Sequence, residues 1–403
     1  MDALHSLEAS FTARFGPLAA VYRAPGRVNL IGEHTDYNQG FVLPAAIDLS
    51  CWAAASRRDD DRLVLYSANF GEPVDFDLHD ANPRRSGKWW DYPLGVAWAL
   101  RQSGYHLRGA NLYVQGDVPV GAGLSSSAAI EVCVGYALLD LSGHAIDRTR
   151  LALLCQRAEN EFVGARCGIM DQFISCHGQA GHAVLLDCRS LGYRLVQLPN
   201  RIQLVICNTM VKHELGASQY NTRRAQCEEG VRRLAESMPH IGSLRDVPLR
   251  ELEQHRERLS ETIYRRCRHV VTENNRVHAF ATALQDADTG ALSRLMADSH
   301  RSLRDDYEVS CAELDLMVDL AGRQQGVIGA RMTGAGFGGS TINLVNAANS
   351  AEFQRRMAAA YHAATGLTPD IYVCKAAPGA GPVHLPARTS AVRADPGPAA
   401  RHD

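Results

Sequence analysis

The chain has 403 residues, of which 46% are hydrophobic and 21% charged, and its formal net charge is −2. This composition is typical of a globular protein, and the length predicts two domains with a cleft between them. The basic residues are spread along the chain and no apolar run reaches roughly 18 residues, so we expect neither a nucleic-acid partner nor a membrane span. The N-terminus lacks the pattern of a secretory signal, and the eleven cysteines form no C-x-x-C pair. We therefore expect a cytoplasmic protein with reduced thiols.

In chain order, β-branched and apolar stretches at 41–66 and 111–120 predict a sheet-rich N-terminal part. Residues 128–141 are apolar on nearly every side, which predicts a buried helix, and an amphipathic helix follows at about 148–163. From about 191 the pattern starts again with the strand RIQLVICNT and charged helices, and later with a helix at 350–364 and the strand DIYVCKA. We predict α+β domains at 1–190 and 191–377, followed by a disordered Pro/Ala/Gly-rich tail at 378–403.

A first glycine-rich segment, VPVGAGLSSSAAIEV, leads directly into the predicted buried helix. Free backbone amides and the positive end of a helix attract anions, so this segment suits phosphate binding. It is not a P-loop, because no Gly-Lys-Ser/Thr follows. The alternative is a tight turn in which a serine caps the helix.

A second glycine-rich segment, Gly334 to Gly339, formally fits G-x-G-x-x-G. It leads into the strand STINLV rather than a helix, and no acidic residue lies about 20 positions further on, which excludes a dinucleotide fingerprint. Either a structural loop or a loop lying against phosphates remains.

Two further segments concentrate polar side chains. RAPGRVNLIGEHTDYNQG, at 23–40, carries Arg27, Glu33, His34 and Asp36, a density that suits a polyhydroxyl ligand. A solvated turn is an alternative, and a metal site is a weaker one because only one histidine is present. CGIMDQF, at 167–173, places Asp171 in an apolar setting, either as a structural ion-pair partner or as an active-site carboxylate.

Taken together, these segments resemble the galactokinase branch of the GHMP kinases over nearly the whole chain, from about Phe11 to Pro378. The resemblance is carried by APGRVNLIGEHTDYN at 24–38, GAGLSSSA at 121–128 and RMTGAGFGGS at 331–340. CGIMDQF, NTMVKHEL with Tyr220, RHVVTEN at 268–274 and SHRSLRDDYEVS at 299–310 agree with it. Arg166 departs from it, because a proline is common at that position.

The resemblance implies two α+β domains with the active site in the cleft, and ATP-dependent phosphorylation of galactose at its C1 hydroxyl. It implies that Asp171 is the catalytic base and Arg27 its partner. The implied sugar-binding residues are Glu33, His34, Thr35, Asp36, Gly168 and Tyr220. The implied ATP-binding residues are Gly121, Ala122, Gly123, Leu124, Ser125, Ser126, Ser127 and Trp89, the last beside Trp90. Mg²⁺ is implied at Ser127 and Glu159, and the protein is expected to be a monomer.

Two other functions stay open for this fold. A kinase of N-acetylgalactosamine or arabinose would share the same motifs, because pocket volume near C2 or C6 of the sugar is not visible in the sequence. A non-catalytic galactose sensor is expected to lose part of the serine-rich loop. The intact GLSSSA segment, together with Asp171 and Arg27, disfavours the sensor.

Overall fold

The computed structural model describes residues 2–212 and 216–384. Its helices are α1 (Asp2–Phe15), α2 (Asp91–Gln102), α3 (Ser126–Leu141), α4 (Arg148–Arg157), α5 (Met170–His177), α6 (Gly216–Ala235), α7 (Leu249–Gln254), α8 (Glu261–Gln285), α9 (Thr289–Asp305), α10 (Ala312–Gly322) and α11 (Ser350–Thr365). Its strands are β1 (Ala20–Asn29), β2 (Phe41–Val42), β3 (Pro44–Arg57), β4 (Arg62–Ser67), β5 (Pro73–Asp77), β6 (Ala110–Gly116), β7 (His182–Asp187), β8 (Tyr193–Gln197), β9 (Ile202–Lys212), β10 (Val327–Thr333), β11 (Gly338–Asn346), β12 (Asp370–Cys374) and β13 (Gly381–Val383). The predicted α+β class is confirmed.

The N-terminal part is built on a six-stranded sheet in the order β13-β1-β3-β6-β4-β5. Its pairs are antiparallel except β4 with β6. Helix α3 packs against β1 and β3, and its side chains are buried on nearly all sides, as its uniformly apolar sequence predicts. The pairing of β1 with β3 shifts between Pro25 and Arg27. At this bulge, a Cβ on Gly26 would lie 2.7 Å from the carbonyl oxygen of Leu124, so glycine lets the first glycine loop approach the strand.

The C-terminal part is built on a four-stranded antiparallel sheet in the order β10-β11-β9-β12, against which α9, α10 and α11 pack. A third, three-stranded sheet has the order β2-β7-β8. The largest buried apolar cluster contains Val28 of β1 as well as Leu204 of β9 and Ile342 of β11. The two parts of the chain therefore share a continuous core, which fixes the cleft between them.

The structure differs from the sequence-based expectations at both predicted boundaries. The boundary expected between residues 190 and 191 falls inside the three-stranded sheet, and the chain changes sheets only after Gln197. The predicted tail begins at 378, but β13 pairs with β1 and the Arg23 guanidinium donates to the carbonyl of Pro378 at 2.9 Å, so ordered structure continues beyond that residue. Residues 385–403 of the predicted tail lie outside the described residues.

Two further expectations concern helices. The amphipathic helix expected at 148–163 is α4 followed by a π-helical turn, Ala158–Val163, which contains Glu159. Such turns are frequent at functional sites. Within the described residues, no helix combines the length and apolar character needed to cross a bilayer.

Candidate active site

A cavity of about 400 Å³ lies where the N-terminal and C-terminal parts meet. Its walls combine the end of β1 and the segment after it, the turn before α5, the second turn of α6 and the second glycine loop. The predicted site residues that line it are Arg27, Glu33, His34, Asp36, Gly168, Asp171 and Tyr220. Residues more than 180 positions apart in sequence, such as Arg27 and Tyr220, therefore line the same cavity.

In the lining of this cavity, Arg27 donates two parallel hydrogen bonds to Asp171. Its Nε and Nη2 donate to the two carboxylate oxygens, each at 2.8 Å. Its remaining nitrogen, Nη1, donates to the carbonyl of Gly123 at 2.5 Å. Two-pronged pairs of this kind fix orientation as well as charge. The carboxylate is therefore held in one position relative to the first glycine loop.

The first glycine loop ends at Ser125, in the left-handed region at φ 59°, just before α3 begins. The Ser125 hydroxyl makes no capping bond and instead donates to Asp171 Oδ2 at 2.5 Å. The first backbone bond of the helix is from Ala129 to the carbonyl of Ser125, at 3.0 Å. The serine-cap interpretation is thus wrong, and the uncapped amides of the first turn form the kind of helix end that binds anions.

The second glycine loop lies against the first. Gly334 has φ +82°, and a Cβ there would stand 3.0 Å from the carbonyl oxygen of Gly123. Ser340 donates to the carbonyl of Ala122 at 2.7 Å, and β11 follows as the sequence predicts. Gly334 and Ala335 also line the cavity. Glycine is favoured here because the left-handed backbone and the close approach both disfavour a side chain.

Asp36 lies beside Gly168, which comes two residues before the start of α5. A Cβ on Gly168 would stand 1.9 Å from Asp36 Oδ2, so only glycine leaves room for this carboxylate. Burial and the neighbouring charge of Asp171 raise the pKa of Asp36 to about 6, although the amides of Tyr37 and Met170 donate to it and act in the opposite direction. The cavity thus contains a carboxylate that releases its proton close to neutral pH.

Glu33 and His34 line the cavity, whereas the neighbouring Thr35 does not. Glu33 lines it, but its carboxylate forms a buried ion pair with Arg331, and burial raises its pKa. Burial and nearby His269 lower the pKa of His34 to about 3, so the ring is neutral. Thr35 is not part of the cavity wall, because its hydroxyl contacts the carbonyls of Gly32 and Phe41 at 2.8 and 2.7 Å. The structure thus makes Thr35 a support of the loop rather than a side-chain ligand.

Glu159 is buried behind the first turn of α3. Its carboxylate accepts hydrogen bonds from Gln172 at 2.6 Å and from the hydroxyl of Ser127. Burial and the charge of Asp171 raise its pKa to about 7. Gln172 also donates to buried Glu131 at 3.0 Å, leaving Glu131 Oε1 without a hydrogen-bond partner. Hydroxyl and carboxylate oxygens are the donors that Mg²⁺ prefers, so Ser127 and Glu159 fit that ion.

A second, smaller cavity of about 130 Å³ adjoins the start of α3 and is lined by Ser126, Ser127, Trp89 and Phe70. Trp89 lies parallel to Phe70, with ring centroids 5.7 Å apart, and its indole Nε1 is buried without a hydrogen-bond partner. An aromatic face beside an unpaired donor suits a planar heterocycle. Trp90 does not line this cavity and lies instead near the ammonium of Lys88.

Several residues that line these cavities are not among the site residues predicted from the sequence. The larger cavity also includes Arg85, Tyr92, Arg166, Cys167 and Asn221. Tyr92 and Phe70 contribute to the smaller one, and Tyr92 is common to both. Tyr92 follows the Trp-Trp pair by two positions, which was the available signal for it.

The fold and the paired glycine loops define a kinase of the GHMP class. Family models for the GHMP kinase N-terminal and C-terminal domains match residues 91–179 and 280–363. The fold alone is shared with the mevalonate kinase of Methanococcus jannaschii, at a TM-score of 0.64 and 18% identity over 90% of this chain and 99% of that one.

Closer comparisons narrow the class. The galactokinase galactose-binding signature matches residues 9–57. The galactokinase of Chloroflexus aggregans is 47% identical over 95% of this chain and 99% of its own length. The galactokinase of Streptomyces coelicolor is 46% identical over 90% of this chain and 93% of its own length. The crystal structure of Lactococcus lactis galactokinase complexed with galactose has a TM-score of 0.90 at 37% identity, covering 94% of this chain and 99% of that one. The chain belongs to the galactokinase family.

Proposed function

We propose that this chain transfers the γ-phosphoryl group of ATP to the C1 hydroxyl of galactose, giving galactose 1-phosphate and ADP, with Asp171 and Arg27 as the catalytic pair. The observation that carries the assignment of these two residues is their doubly hydrogen-bonded contact, at 2.8 Å for each bond, between the larger cavity and the start of α3. An acceptor sugar and a phosphate donor would meet at this point.

In this mechanism Asp171 accepts the proton of the C1 hydroxyl while Arg27 and Ser125 hold its carboxylate in place. Because phosphoryl transfer depends mainly on alignment and charge stabilisation, fixing this carboxylate contributes to the rate as positioning. The amides at the start of α3 would hold the phosphates and offset their negative charge.

The metal and nucleotide sites follow from the same arrangement. Ser127 and Glu159 would hold Mg²⁺, which when bound neutralises charge on the β- and γ-phosphates. Trp89 and Phe70 would contact the base, since the cavity they line also includes Ser126 and Ser127. Tyr92, which lines both cavities, would lie between the two substrates.

The sugar would occupy the larger cavity, with Asp36 accepting hydrogen bonds from its hydroxyls and Tyr220 and Gly168 forming the adjacent wall. A site built around specific hydroxyl contacts rejects sugars that lack them. We further propose that the protein is a cytoplasmic monomer; its cysteines are all free thiols, which supports the location. Light scattering coupled to gel filtration would test the oligomeric state.

The function is tested by incubating the protein with MgATP and a panel of galactose, N-acetylgalactosamine, arabinose and glucose. ADP release is followed, and the phosphorylated carbon is identified by ¹³C and ³¹P NMR. Galactose 1-phosphate as the preferred product supports the proposal. Preferred turnover of N-acetylgalactosamine or arabinose would reassign the substrate, and galactose binding without turnover would indicate a sensor.

A further inference from the structure

A chain of hydrogen bonds joins His34, in the wall of the larger cavity, to the C-terminal part of the protein. His34 Nδ1 lies 2.8 Å from the hydroxyl of Tyr37, which lies 2.7 Å from the hydroxyl of Tyr307. The Tyr307 hydroxyl lies 3.1 Å from the thiol of Cys227. At the other edge of the imidazole, Nε2 lies 3.2 Å from the carbonyl of Ala335. Both ring nitrogens of His34 are therefore engaged.

The direction of every bond in this chain follows from one group, the Ala335 carbonyl. A carbonyl can only accept, so His34 Nε2 carries a hydrogen and, in a neutral ring, Nδ1 accepts from Tyr37. Tyr37 has then used its only hydrogen and must accept from Tyr307. For the same reason Tyr307 accepts from Cys227. A single arrangement of protons satisfies all four side chains.

Burial protects this arrangement. His34, Tyr307 and Cys227 are 4%, 0% and 1% exposed, so the bonds among these side chains are largely removed from bulk water. Burial also keeps the groups neutral, since it lowers the pKa of His34 to about 3 and raises the pKa of both Tyr37 and Tyr307 well above 10. His34 itself is held at φ +62°, a left-handed conformation that the surrounding contacts must maintain.

We propose that Tyr37 and Tyr307 are positioning residues that fix His34 as the Nε2–H tautomer, so that it offers the sugar a hydrogen-bond donor and never an acceptor. The inference rests on the proposed function, in which His34 lies against the sugar. His34 and Ala335 both line the cavity, so the N–H can be shared between the carbonyl and a sugar oxygen. The sugar hydroxyl at this point must therefore act as an acceptor.

This assignment gives a role to part of the segment SHRSLRDDYEVS, which carries Tyr307. Tyr307 touches no part of the larger cavity, but its ring packs 4.8 Å from that of His34 and its hydroxyl supports Tyr37. The segment thereby connects the C-terminal part of the chain to sugar recognition.

The first test uses the unmodified protein. With ¹⁵N-labelled histidine, long-range ¹H–¹⁵N NMR reports which nitrogen of each ring carries the hydrogen, and His34→Gln identifies the signal of His34. We expect a protonated Nε2 and an unprotonated Nδ1. A hydrogen on Nδ1, a charged ring or a mixture of tautomers would overturn the proposal.

The second test removes single hydroxyls. Tyr37→Phe should move the His34 nitrogen signals and raise the galactose Kd by about 3- to 10-fold, because one buried neutral hydrogen bond is lost. Tyr307→Phe should raise it by about 2- to 3-fold, because Tyr37 can still donate to His34. The matched control is Tyr361→Phe, which removes a buried hydroxyl that donates to the Thr209 carbonyl at 3.0 Å and takes no part in the bonds to His34. It should change neither the signals nor the galactose Kd.

Galactose Kd is measured by calorimetry without ATP, so the result does not depend on catalysis. Unchanged galactose binding and unchanged His34 signals in Tyr37→Phe would refute the positioning role. An equal rise of the KM for ATP would also refute it, since that would reveal a general structural effect. A protein with the predicted tautomer that phosphorylates another sugar would instead remove the proposed function and leave the tautomer assignment standing.

Discussion

Removing the Arg27 guanidinium is the most informative single change in the catalytic pair. Arg27 makes two bonds of 2.8 Å to Asp171 and one of 2.5 Å to the Gly123 carbonyl. Its side chain is 6% exposed and that of Asp171 28%, so the pair is only partly screened by water. Hydrogen bonds to charged groups contribute about 1.5–3 kcal/mol each, more than exposed ion pairs do.

The two bonds to Asp171, each taken near the lower end of that range, give a loss of about 3–4 kcal/mol of transition-state stabilisation in Arg27→Ala, which corresponds to a fall in kcat of about 10²–10³. The kcat of Arg27→Lys should lie between those of Arg27→Ala and the wild type, because lysine keeps the charge but cannot donate to both carboxylate oxygens in the same geometry. The assay is ADP release at saturating galactose and MgATP, with urea unfolding used to confirm that each variant is folded.

The matched control is Arg58→Ala. Arg58 also forms a doubly hydrogen-bonded pair, with Asp60 at 2.7 and 2.6 Å, but that pair is exposed and lies outside both cavities. Its loss should leave kcat within about twofold of wild type. If kcat of Arg27→Ala also stayed within about threefold of wild type, Arg27 would be a structural residue and no part of a catalytic pair.

Three further outcomes follow from the site. Ser127→Ala should raise the Mg²⁺ concentration needed for half-maximal activity, and an unchanged metal titration would remove Ser127 from the metal site. Gly168→Ala should abolish the galactose binding seen by calorimetry, because its Cβ would stand 1.9 Å from Asp36 Oδ2. The control Gly322→Ala, whose Cβ would have no atom within 4 Å, should have no effect. Equal galactose affinities in the two variants would contradict the geometry. Galactose affinity should fall as pH drops below about 6, by up to about tenfold per unit, because Asp36 takes up a proton there and loses its charged acceptor. Asp36→Asn should flatten that dependence. A galactose affinity of the wild type that does not change between pH 5 and pH 7 would contradict the prediction.

The pKa of Asp36 also has a consequence for stability. Its folded-state pKa, about 6, lies above the ordinary value of 3.8, so the folded state binds this proton more tightly than the unfolded state. The contribution of Asp36 to stability is therefore greatest at low pH and declines as pH rises between these two values. At neutral pH the protein thus retains a charged carboxylate in its cavity at some expense of stability.

Elements with a strong local signal could be predicted from the sequence. Helix α3 is apolar on nearly all sides and is buried on nearly all sides, and β11 follows the second glycine loop as its apolar sequence predicts. The partnership of Arg27 with Asp171 came from the family resemblance, since the physical interpretation of Asp171 left a structural role open. The structure supplies its geometry.

Features that depend on long-range contacts could not be predicted. The local sequence suits a serine cap at the start of α3, but the carboxylate that accepts the hydrogen bond from Ser125 is 46 positions away. The start of the predicted tail has a composition poor in core residues, yet β13 is held by backbone bonds to β1, which require no apolar side chains. Tyr37 and Tyr307 are 270 positions apart, and only the fold brings their hydroxyls together.

The most direct test of the central claim compares turnover and sugar binding in Asp171→Asn. This substitution keeps the size of the side chain and removes the carboxylate that would accept the C1 proton. We predict that galactose 1-phosphate formation, followed by ³¹P NMR, falls by at least about 10³-fold, while the galactose Kd measured by calorimetry stays within about threefold of wild type. The exposed Asp60→Asn variant should alter neither the rate of galactose 1-phosphate formation nor the galactose Kd. Near-normal formation of galactose 1-phosphate by Asp171→Asn would contradict the assignment of Asp171 as the catalytic base.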